Sequence, residues 1–388
     1  MIKGHGGNIY DLARRLGCRP ADIVDLSSNV NPLGPPPGLG DYLSRNMDAI
    51  AALPEVDNRG IIQDYAGMLG VSPDRLIAGN GTTQFIYSLP AVLKMQRALI
   101  VGPTYSDYAD ACRLHAVPFE FHLCREEEEF QPDIGRIEQN LAGADAVFIC
   151  NPNNPTAALL PAERLKKLCR RNPQVRFIVD ESYLPFVSGG EKQSLVAAGL
   201  ENVLVLLSIS KIYRIPGLRV GFLTAAPAVV AAFAEFIWPW SVNSLAQAAV
   251  RFLAQAGPAL NEFVAQTRGH LDRQRQELRQ CLRTVAGLKA YPSSASFMLI
   301  RLPEGLAAPT VWSRLAAEGI LIRDCSNFRG LSERFIRVCP KTSETSRRLA
   351  ERIAELAAAR MASGLYGQNP IGKTKHETRN RFDGSKGL

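Results

Sequence analysis

The sequence lacks cysteine pairs at the spacing of a metal or redox motif. Its eight cysteines are scattered along 388 residues without any C-x-x-C sequence, which argues against a zinc ribbon and against a disulfide framework. The five histidines show neither H-x-x-x-H nor H-E-x-x-H spacing, so the zinc-hydrolase signatures are absent as well. We therefore expect core thiols and no metal site.

A long uninterrupted apolar run is also missing. The N-terminal residues MIKGHGGNIYDLARRLG contain no apolar core of a signal peptide, so we expect a cytoplasmic protein. The longest apolar stretch, residues 225–240, is interrupted by Pro227 and Glu235 and is shorter than the roughly 18 residues that a membrane helix needs. We interpret this stretch as a buried helix and expect no membrane partner.

Acidic residues are in modest deficit, because 45 Lys and Arg oppose 37 Asp and Glu and give a net charge of +8. A polar, glycine-rich segment at residues 363–388 contains five of these basic residues and two of the acidic ones, and we expect it to be a disordered tail. The rest of the chain has no dense basic run interleaved with aromatic residues, so we disfavour a nucleic-acid partner. Its composition is typical of a globular protein with a large core.

Short apolar runs alternate with helical stretches between residues 76 and 225. Continuous runs such as VLVLL suit strands that are buried on both faces, and the alternation predicts an α/β domain with a mostly parallel sheet flanked by helices. The predicted strands are RLIAGN, RALIVG, AVFICNP, RFIVDE, NVLVLLS and RVGFLTA. After Trp240, a long helix from about 245 to 285, three strands and two further helices predict a smaller α+β domain. The predicted units are an extended N-terminal arm at 1–40, the large domain at 41–253, the small domain at 254–362 and the tail at 363–388.

Polar or small residues follow the predicted strands and should meet in one crevice, because ligands in such sheets bind beyond the carboxyl ends of the strands. Gly81, Thr82 and Thr83 precede a helix and offer backbone N–H groups and hydroxyls to an anion, although a well-capped helix would look the same. Asp180 ends a buried strand, where a carboxylate needs a partner. That partner could be the protonated ring nitrogen of a cofactor or an internal arginine.

Lys211 follows another apolar strand, in the sequence S-I-S-K. A lysine at a buried strand end can lose its proton and act as a nucleophile, although most lysines lie at the surface. Ser208, Ser210 and Arg219 form a second set of anion-binding groups beside it. Together with Tyr105 and the candidate acid, these residues supply the amine, acid, phosphate donors and stacking surface that pyridoxal phosphate requires.

The ordered motifs G-N-G-T-T, P-T-Y-S-D-Y, N-P-N-N-P-T, D-E-S-Y and S-I-S-K-(x7)-R resemble those of the fold type I, class I and II aminotransferase superfamily to about residue 361. The resemblance implies that Lys211 binds pyridoxal 5′-phosphate, that Asp180 pairs with the pyridine nitrogen and that Tyr105 stacks on the ring. It implies a homodimer with sites at the subunit interface. The full set of residues that it assigns to the cofactor is Gly81, Thr82, Thr83, Tyr105, Asn154, Asp180, Tyr183, Ser208, Ser210, Lys211 and Arg219.

Within the superfamily, three segments resemble the threonine-phosphate decarboxylase family of cobalamin biosynthesis. They are H-G-G-N-I-Y followed by L-S-S-N-V-N-P-L-G-P-P, then W-P-W-S-V-N, and finally I-L-I-R-D-C-S-N-F-R-G-L. The resemblance implies α-decarboxylation of O-phospho-L-threonine to 1-amino-2-propanol phosphate for the nucleotide loop of cobalamin, and leaves O-phospho-L-serine open as a substrate. Two arginines suit a substrate with two anions, and which arginine binds which anion stays open. The residues assigned to the substrate are His5, Asn31, Asn154, Arg323 and Arg337.

Two alternatives stay open. A histidinol-phosphate aminotransferase would share this scaffold, whereas a non-catalytic sensor domain is disfavoured because Lys211, Asp180 and Arg219 are all present. The chain departs from the usual family motifs at three positions, namely Leu53 in place of tyrosine, Ala157 in place of glycine and Ser182 in place of alanine. The tyrosine that Leu53 replaces usually reaches the cofactor phosphate of the neighbouring subunit, so we expect that contact to be missing or replaced.

Overall fold

The computed structural model describes residues 6–365, with side chains described to residue 360. The strands of this part of the chain are β1 Val24–Asp25, β2 Leu76–Gly79, β3 Ala98–Gly102, β4 Phe119–Leu123, β5 Ala146–Cys150, β6 Arg176–Asp180, β7 Val203–Leu207, β8 Gly221–Thr224, β9 Lys289–Ala290, β10 Met298–Arg301, β11 Ile320–Leu321, β12 Arg323–Asp324 and β13 Phe335–Val338. Its α-helices are α1 Ile9–Leu16, α2 Leu39–Arg45, α3 Arg59–Leu69, α4 Gly81–Val92, α5 Asp107–Leu114, α6 Ile134–Gln139, α7 Ala162–Arg171, α8 Ile209–Ile212, α9 Pro227–Ala234, α10 Ser244–Gln255, α11 Pro258–Leu282, α12 Ala308–Ala317 and α13 Ser343–Leu365.

A seven-stranded sheet forms the centre of the molecule, with the strand order β2-β8-β7-β6-β5-β3-β4. Only β8 runs antiparallel to its neighbours, and the remaining pairs are parallel. All six predicted strands belong to this sheet, so the predicted α/β fold is confirmed. Strand β4 was not predicted, because this edge strand has partly exposed alternate residues and lacks a continuous apolar run.

The sheet topology brings the polar segments after the strands to one edge. Strands β3, β5, β6 and β7 are parallel and therefore end at the same edge. The reversed β8 starts at that edge, where Gly221 pairs with Gly79 at the end of β2. The residues before β8 and after β2 are thus placed beside the carboxyl ends of the parallel strands.

A second, antiparallel sheet has the order β12-β13-β10-β9 and packs with α11, α12 and α13 around its own core. The N-terminal segment joins this part of the molecule, because β1 pairs in parallel with β11. The prediction of an extended arm is therefore only partly correct: α1 is helical, and its Leu12 and Ala13 pack against Ala316 and Leu321. The predicted domain boundaries stay predictions, and the predicted tail from residue 366 lies outside the described residues.

Two helix predictions need correction. The single helix expected from about 245 to 285 is interrupted between α10 and α11, because Gly257 adopts a positive φ of 52° and Pro258 has no N–H to continue a helix. The stretch 225–240 is helical only in α9, and Trp238 beyond it is 81% exposed. Among the described residues, no helix is both long enough and apolar enough to cross a membrane.

Candidate active site

A cavity of about 710 Å³ lies at the edge where the parallel strands end. It is lined by residues that follow the strands of the large sheet, by the antiparallel sheet and by the N-terminal arm. Every residue that the sequence analysis assigned to the cofactor lines this cavity, as do Arg323 and Arg337. His5 lies outside the described residues.

Asp180, the last residue of β6, lies buried at the bottom of the cavity. The hydroxyl of Tyr108 donates a 2.7 Å hydrogen bond to its Oδ2, and the backbone N–H of Ser182 donates to its Oδ1 at 2.9 Å. The Tyr108 ring is itself held between Phe148, stacked at 5.2 Å, and Tyr105, edge-on at 5.8 Å. Two hydrogen-bond donors thus fix the orientation of this buried carboxylate.

Sequence reasoning did not find Tyr108, although its motif P-T-Y-S-D-Y was noted for Tyr105. Tyr108 lies in the first turn of α5, which begins at Asp107, whereas Tyr105 precedes that helix. The contact of Tyr108 with Asp180 joins residues that are 72 positions apart, so no local spacing indicated it.

Lys211 lies in α8, a short helix that directly follows β7. Burial lowers the pKa of its amine to about 8, and the positive charge of Arg219 acts in the same direction, whereas Asp180 opposes them. A substantial fraction of this amine is therefore neutral near pH 8. A neutral lysine amine is a nucleophile and can also take up or release a proton.

A cradle of hydrogen-bond donors lies beside Lys211. Gly81 starts the twelve-residue helix α4 with a positive φ of 72°, and a Cβ at this position would lie 2.7 Å from Nη2 of Arg219. Only glycine therefore lets the guanidinium approach the helix N-terminus this closely. The hydroxyls of Ser208 and Ser210 are 2.9 Å apart and complete the group. A helix N-terminus, two hydroxyls and a guanidinium are suited to a phosphate.

Of the two buried arginines that line the cavity, Arg337 of β13 is the more deeply buried, with 5% exposure. Its guanidinium donates to the side-chain oxygen of Asn154 and, at 2.8 Å, to the carbonyl of Ser27. Its Nε has no hydrogen-bond partner among the described residues. The guanidinium also lies over the Phe297 ring, 5.2 Å from the centroid.

Arg323 of β12 is the second buried arginine. It donates to the carbonyl of Asp324 and, at 2.7 Å, to Oδ1 of Asn327, and lies 4.9 Å from the centroid of the Phe328 ring. Burial lowers the pKa of its guanidinium, and the nearby Arg337 contributes in the same direction. Neither arginine forms an ion pair with a carboxylate among the described residues. Buried cations without an acidic partner favour anionic ligands.

Asn31, which the sequence assigns to the substrate pocket, does not line the cavity. Its side chain is fully buried away from the cavity, where Nδ2 donates to the carbonyl of Ile212 and to the hydroxyl of Thr267, both at 2.8 Å. Asn29, two residues earlier, lines the cavity instead and donates to the hydroxyl of Tyr183 at 3.1 Å. Its buried Oδ1 has no partner among the described residues and is therefore open to a ligand donor.

The three departures from the family motifs have different structural consequences. Leu53 is 74% exposed and lies outside the cavity lining. Ala157 adopts a φ of 59°, a left-handed conformation in which alanine is less stable than glycine. Ser182 keeps the backbone N–H that binds Asp180, so its side chain is not needed for that contact.

The residues present fit pyridoxal phosphate. Asp180 is a buried carboxylate that forms no salt bridge among the described residues, which leaves it available to a protonated ring nitrogen. The donor cradle around Gly81 and Arg219 suits the phosphate, and Lys211 supplies the amine. Among the described residues, no cluster of three or more His, Cys, Asp or Glu side chains is placed to hold a metal ion.

Comparisons with known proteins agree with this geometry. A family model described as aminotransferase class I and II matches residues 21–353. The threonine-phosphate decarboxylase of Salmonella typhimurium is 31% identical over 350 residues, which cover 89% of this chain and 94% of that protein. A crystal structure described as L-threonine-O-3-phosphate decarboxylase from Porphyromonas gingivalis superimposes with a TM-score of 0.79 at 29% identity, and covers 87% of this chain and 100% of the other.

Two further relatives carry other names. The adenosylcobalamin biosynthesis bifunctional protein CobDQ of Leptospira interrogans is 27% identical over 357 residues, so the match covers 91% of this chain but only 41% of that longer protein. A histidinol-phosphate aminotransferase of Methanococcus maripaludis is 25% identical over 355 residues, which cover 90% of this chain and 94% of the relative.

Proposed function

We propose that this chain, which belongs to the aminotransferase class I and II family, uses pyridoxal 5′-phosphate to remove the α-carboxylate of O-phospho-L-threonine. The products are carbon dioxide and 1-amino-2-propanol phosphate, which would serve the nucleotide loop of cobalamin. The names of the relatives from Salmonella typhimurium and Leptospira interrogans support this choice of substrate and pathway. We further propose a cytoplasmic location.

The observation that carries the proposal is the pair of buried arginines in one cavity. Arg323 and Arg337 each lack a carboxylate partner among the described residues, and both are oriented by neutral acceptors. O-phospho-L-threonine carries a carboxylate and a phosphate, so it would neutralise both guanidiniums at once. The amide nitrogen of Asn154, which lines the same cavity, can donate to an anion, whereas the open Oδ1 of Asn29 can accept from a ligand donor.

The cavity residues assigned to the cofactor have distinct roles in this proposal. When bound, pyridoxal phosphate withdraws electrons from the bond that breaks at the substrate Cα. Asp180, oriented by hydrogen bonds from Tyr108 and Ser182, would face the protonated pyridine nitrogen. The cradle of Gly81, Ser208, Ser210 and Arg219 would hold the cofactor phosphate. Tyr105 would stack on the ring.

Lys211 is the residue that donates and takes up protons in this proposal. Loss of carbon dioxide leaves the substrate Cα short of one proton, which a protonated Nζ can donate. Its pKa of about 8 permits both protonation states near neutral pH, so the same amine can lose the proton and regain it from solvent. We therefore assign to Lys211 the return of a proton to Cα.

A homodimer is part of the proposal. Leu53, Val56, Trp238 and Trp240 are exposed apolar side chains, and a hydrogen bond of 3.1 Å from the Trp240 N–H to the Val56 carbonyl joins their two segments. Exposed apolar surface of this kind favours burial against another protein. We propose that a second copy of the chain covers it.

The deciding experiment measures carbon dioxide released from O-phospho-L-threonine by the cofactor-loaded protein without any keto acid. We expect sustained release, loss of turnover in Lys211→Ala, and a KM at least tenfold higher in Arg337→Gln, which keeps some hydrogen bonding but removes the charge. Comparison of kcat/KM with O-phospho-L-serine determines the substrate side chain. No carbon dioxide, together with amino transfer from histidinol phosphate to 2-oxoglutarate, would instead establish an aminotransferase.

A further inference from the structure

The helix that carries Lys211 is too short to be stable alone. Helix α8 comprises only Ile209–Ile212, and an isolated turn of helix is strongly unfavourable. Its last carbonyl groups also lack partners within the helix. The N-terminal arm supplies hydrogen-bond donors to two of these carbonyls. The backbone N–H of Asn31 donates to the Lys211 carbonyl at 3.0 Å, and its side-chain amide donates to the Ile212 carbonyl at 2.8 Å.

Asn31 is fixed by further contacts. Its Nδ2 also donates to Thr267 of α11 at 2.8 Å, and its Oδ1 accepts the N–H of Leu33 at 2.9 Å. The Thr267 hydroxyl donates in turn to the Phe263 carbonyl at 2.9 Å, which leaves its oxygen as the acceptor for Asn31. The amide is therefore saturated within the protein and fully buried.

Arg214 completes a reciprocal arrangement between the two segments. It lies three residues after Lys211, and its Nη1 donates to the carbonyls of Asn31 at 3.2 Å and of Pro32 at 3.0 Å. The arm thus donates to the Lys211 turn, and the turn donates back to the arm. These contacts link positions that are more than 180 residues apart in the chain.

We infer that Asn31 and Arg214 are positioning residues that fix Lys211 for its reaction. The inference rests on the proposed function, because it takes Lys211 as the reacting amine. The amine is attached to a flexible side chain, so a backbone shift at residue 211 changes both its position and its exposure to water. A misplacement of about 1 Å can cost on the order of 100-fold in rate, and water around the amine restores an ordinary lysine pKa.

The test compares four variants: Arg214→Ala, Arg214→Lys, Asn31→Ala and Arg334→Ala. Arg214→Lys keeps the charge and can still donate to both carbonyls. Asn31→Ala removes the side-chain hydrogen bond to the Ile212 carbonyl without changing any charge, and keeps the backbone groups that contact Lys211 and Arg214. Arg334→Ala is the matched control, because Arg334 also donates twice to a backbone carbonyl, that of Leu302 directly after β10, but does not line the cavity.

The first readout uses cofactor-free protein and does not depend on decarboxylation. The rate at which an amine-reactive acylating reagent labels Lys211 is measured by mass spectrometry from pH 6 to 10. We expect Arg214→Ala and Asn31→Ala to move the midpoint of labelling upward by at least half a pH unit. Arg214→Lys and Arg334→Ala should keep the midpoint of the unaltered protein.

The second readout is turnover of the cofactor-loaded protein. We expect kcat to fall about tenfold in Arg214→Ala, with KM for O-phospho-L-threonine changed less than twofold. An unaltered labelling midpoint in Arg214→Ala would overturn the inference, as would an equal shift in Arg334→Ala. Absence of decarboxylation in the unaltered protein would refute the proposed function alone, since the labelling comparison stands without it. If Asn31→Ala fails to fold, the two Arg214 variants still decide.

Discussion

Replacing Glu181 with glutamine should remove a pH-dependent loss of stability that the native protein carries next to its active site. Glu181 is 2% exposed and accepts hydrogen bonds from the hydroxyl of Ser194 at 2.6 Å and from the N–H of Leu195 at 2.7 Å. Burial raises the pKa of its carboxyl group to about 7 despite these bonds, and the neighbouring Asp180 adds to the rise.

The magnitude follows from linkage between protonation and folding. In the unfolded chain Glu181 has an ordinary pKa of 4.5, so above that pH the native state binds more protons than the unfolded state. The native protein therefore loses stability as pH rises from about 4.5 to about 7, and the loss then levels off. A shift from 4.5 to about 7 corresponds to about 3 kcal/mol, of which about 2 kcal/mol falls between pH 5.5 and 8.5.

Urea unfolding at these two pH values measures the effect. Glutamine keeps an oxygen acceptor for Leu195 and can donate to Ser194, but it cannot ionise. Relative to the unaltered protein, Glu181→Gln should gain about 2 kcal/mol more at pH 8.5 than at pH 5.5. The control is Glu127→Gln on an exposed loop, which should show the same pH dependence as the unaltered protein. An equal gain at both pH values would refute the reasoning.

Three further outcomes are expected. Tyr108→Phe removes one of the two donors to Asp180, so cofactor affinity, measured by spectroscopic titration, should fall about tenfold; unchanged affinity would show that the bond is dispensable. Ala157→Gly relieves the left-handed backbone and should raise the free energy of unfolding by up to about 1 kcal/mol in urea, whereas a loss would contradict the strain. Trp238→Ser should dissociate the proposed dimer in sedimentation experiments at micromolar concentration, and an unaltered sedimentation coefficient would contradict the proposed subunit contact.

Much of the fold could be predicted because the sequence patterns that indicate it lie within single strands and helices. The apolar runs that form β5, β6 and β7 are continuous, and parallel strands necessarily end at one edge. Residues at or shortly after the ends of such strands, including Asp180 and Lys211, could therefore be placed in one site without knowledge of distant contacts.

Features set by distant contacts could not be predicted. The sequence S-S-N-V-N does not indicate which asparagine enters the cavity; Asn29 does so because Tyr183 lies within reach of its amide, and Asn31 does not because Ile212 and Thr267 bind it elsewhere. Likewise, the helical periodicity of the sequence continues across Gly257, so it did not indicate that the positive φ of this residue interrupts the helix.

The pairing of β1 with β11 has a consequence for the order in which the molecule assembles. Val24 of β1 pairs with Ile320 of β11, and the carbonyl of Ser27 accepts a hydrogen bond from Arg337, which lies 310 residues further along the chain. Contacts so distant in sequence form late, since the intervening chain must first be ordered. During synthesis the central sheet can form before β11 is available to pair with β1 of the arm. The pocket is therefore completed only after the last strands have emerged, so an incomplete chain can be largely folded and yet have no substrate site.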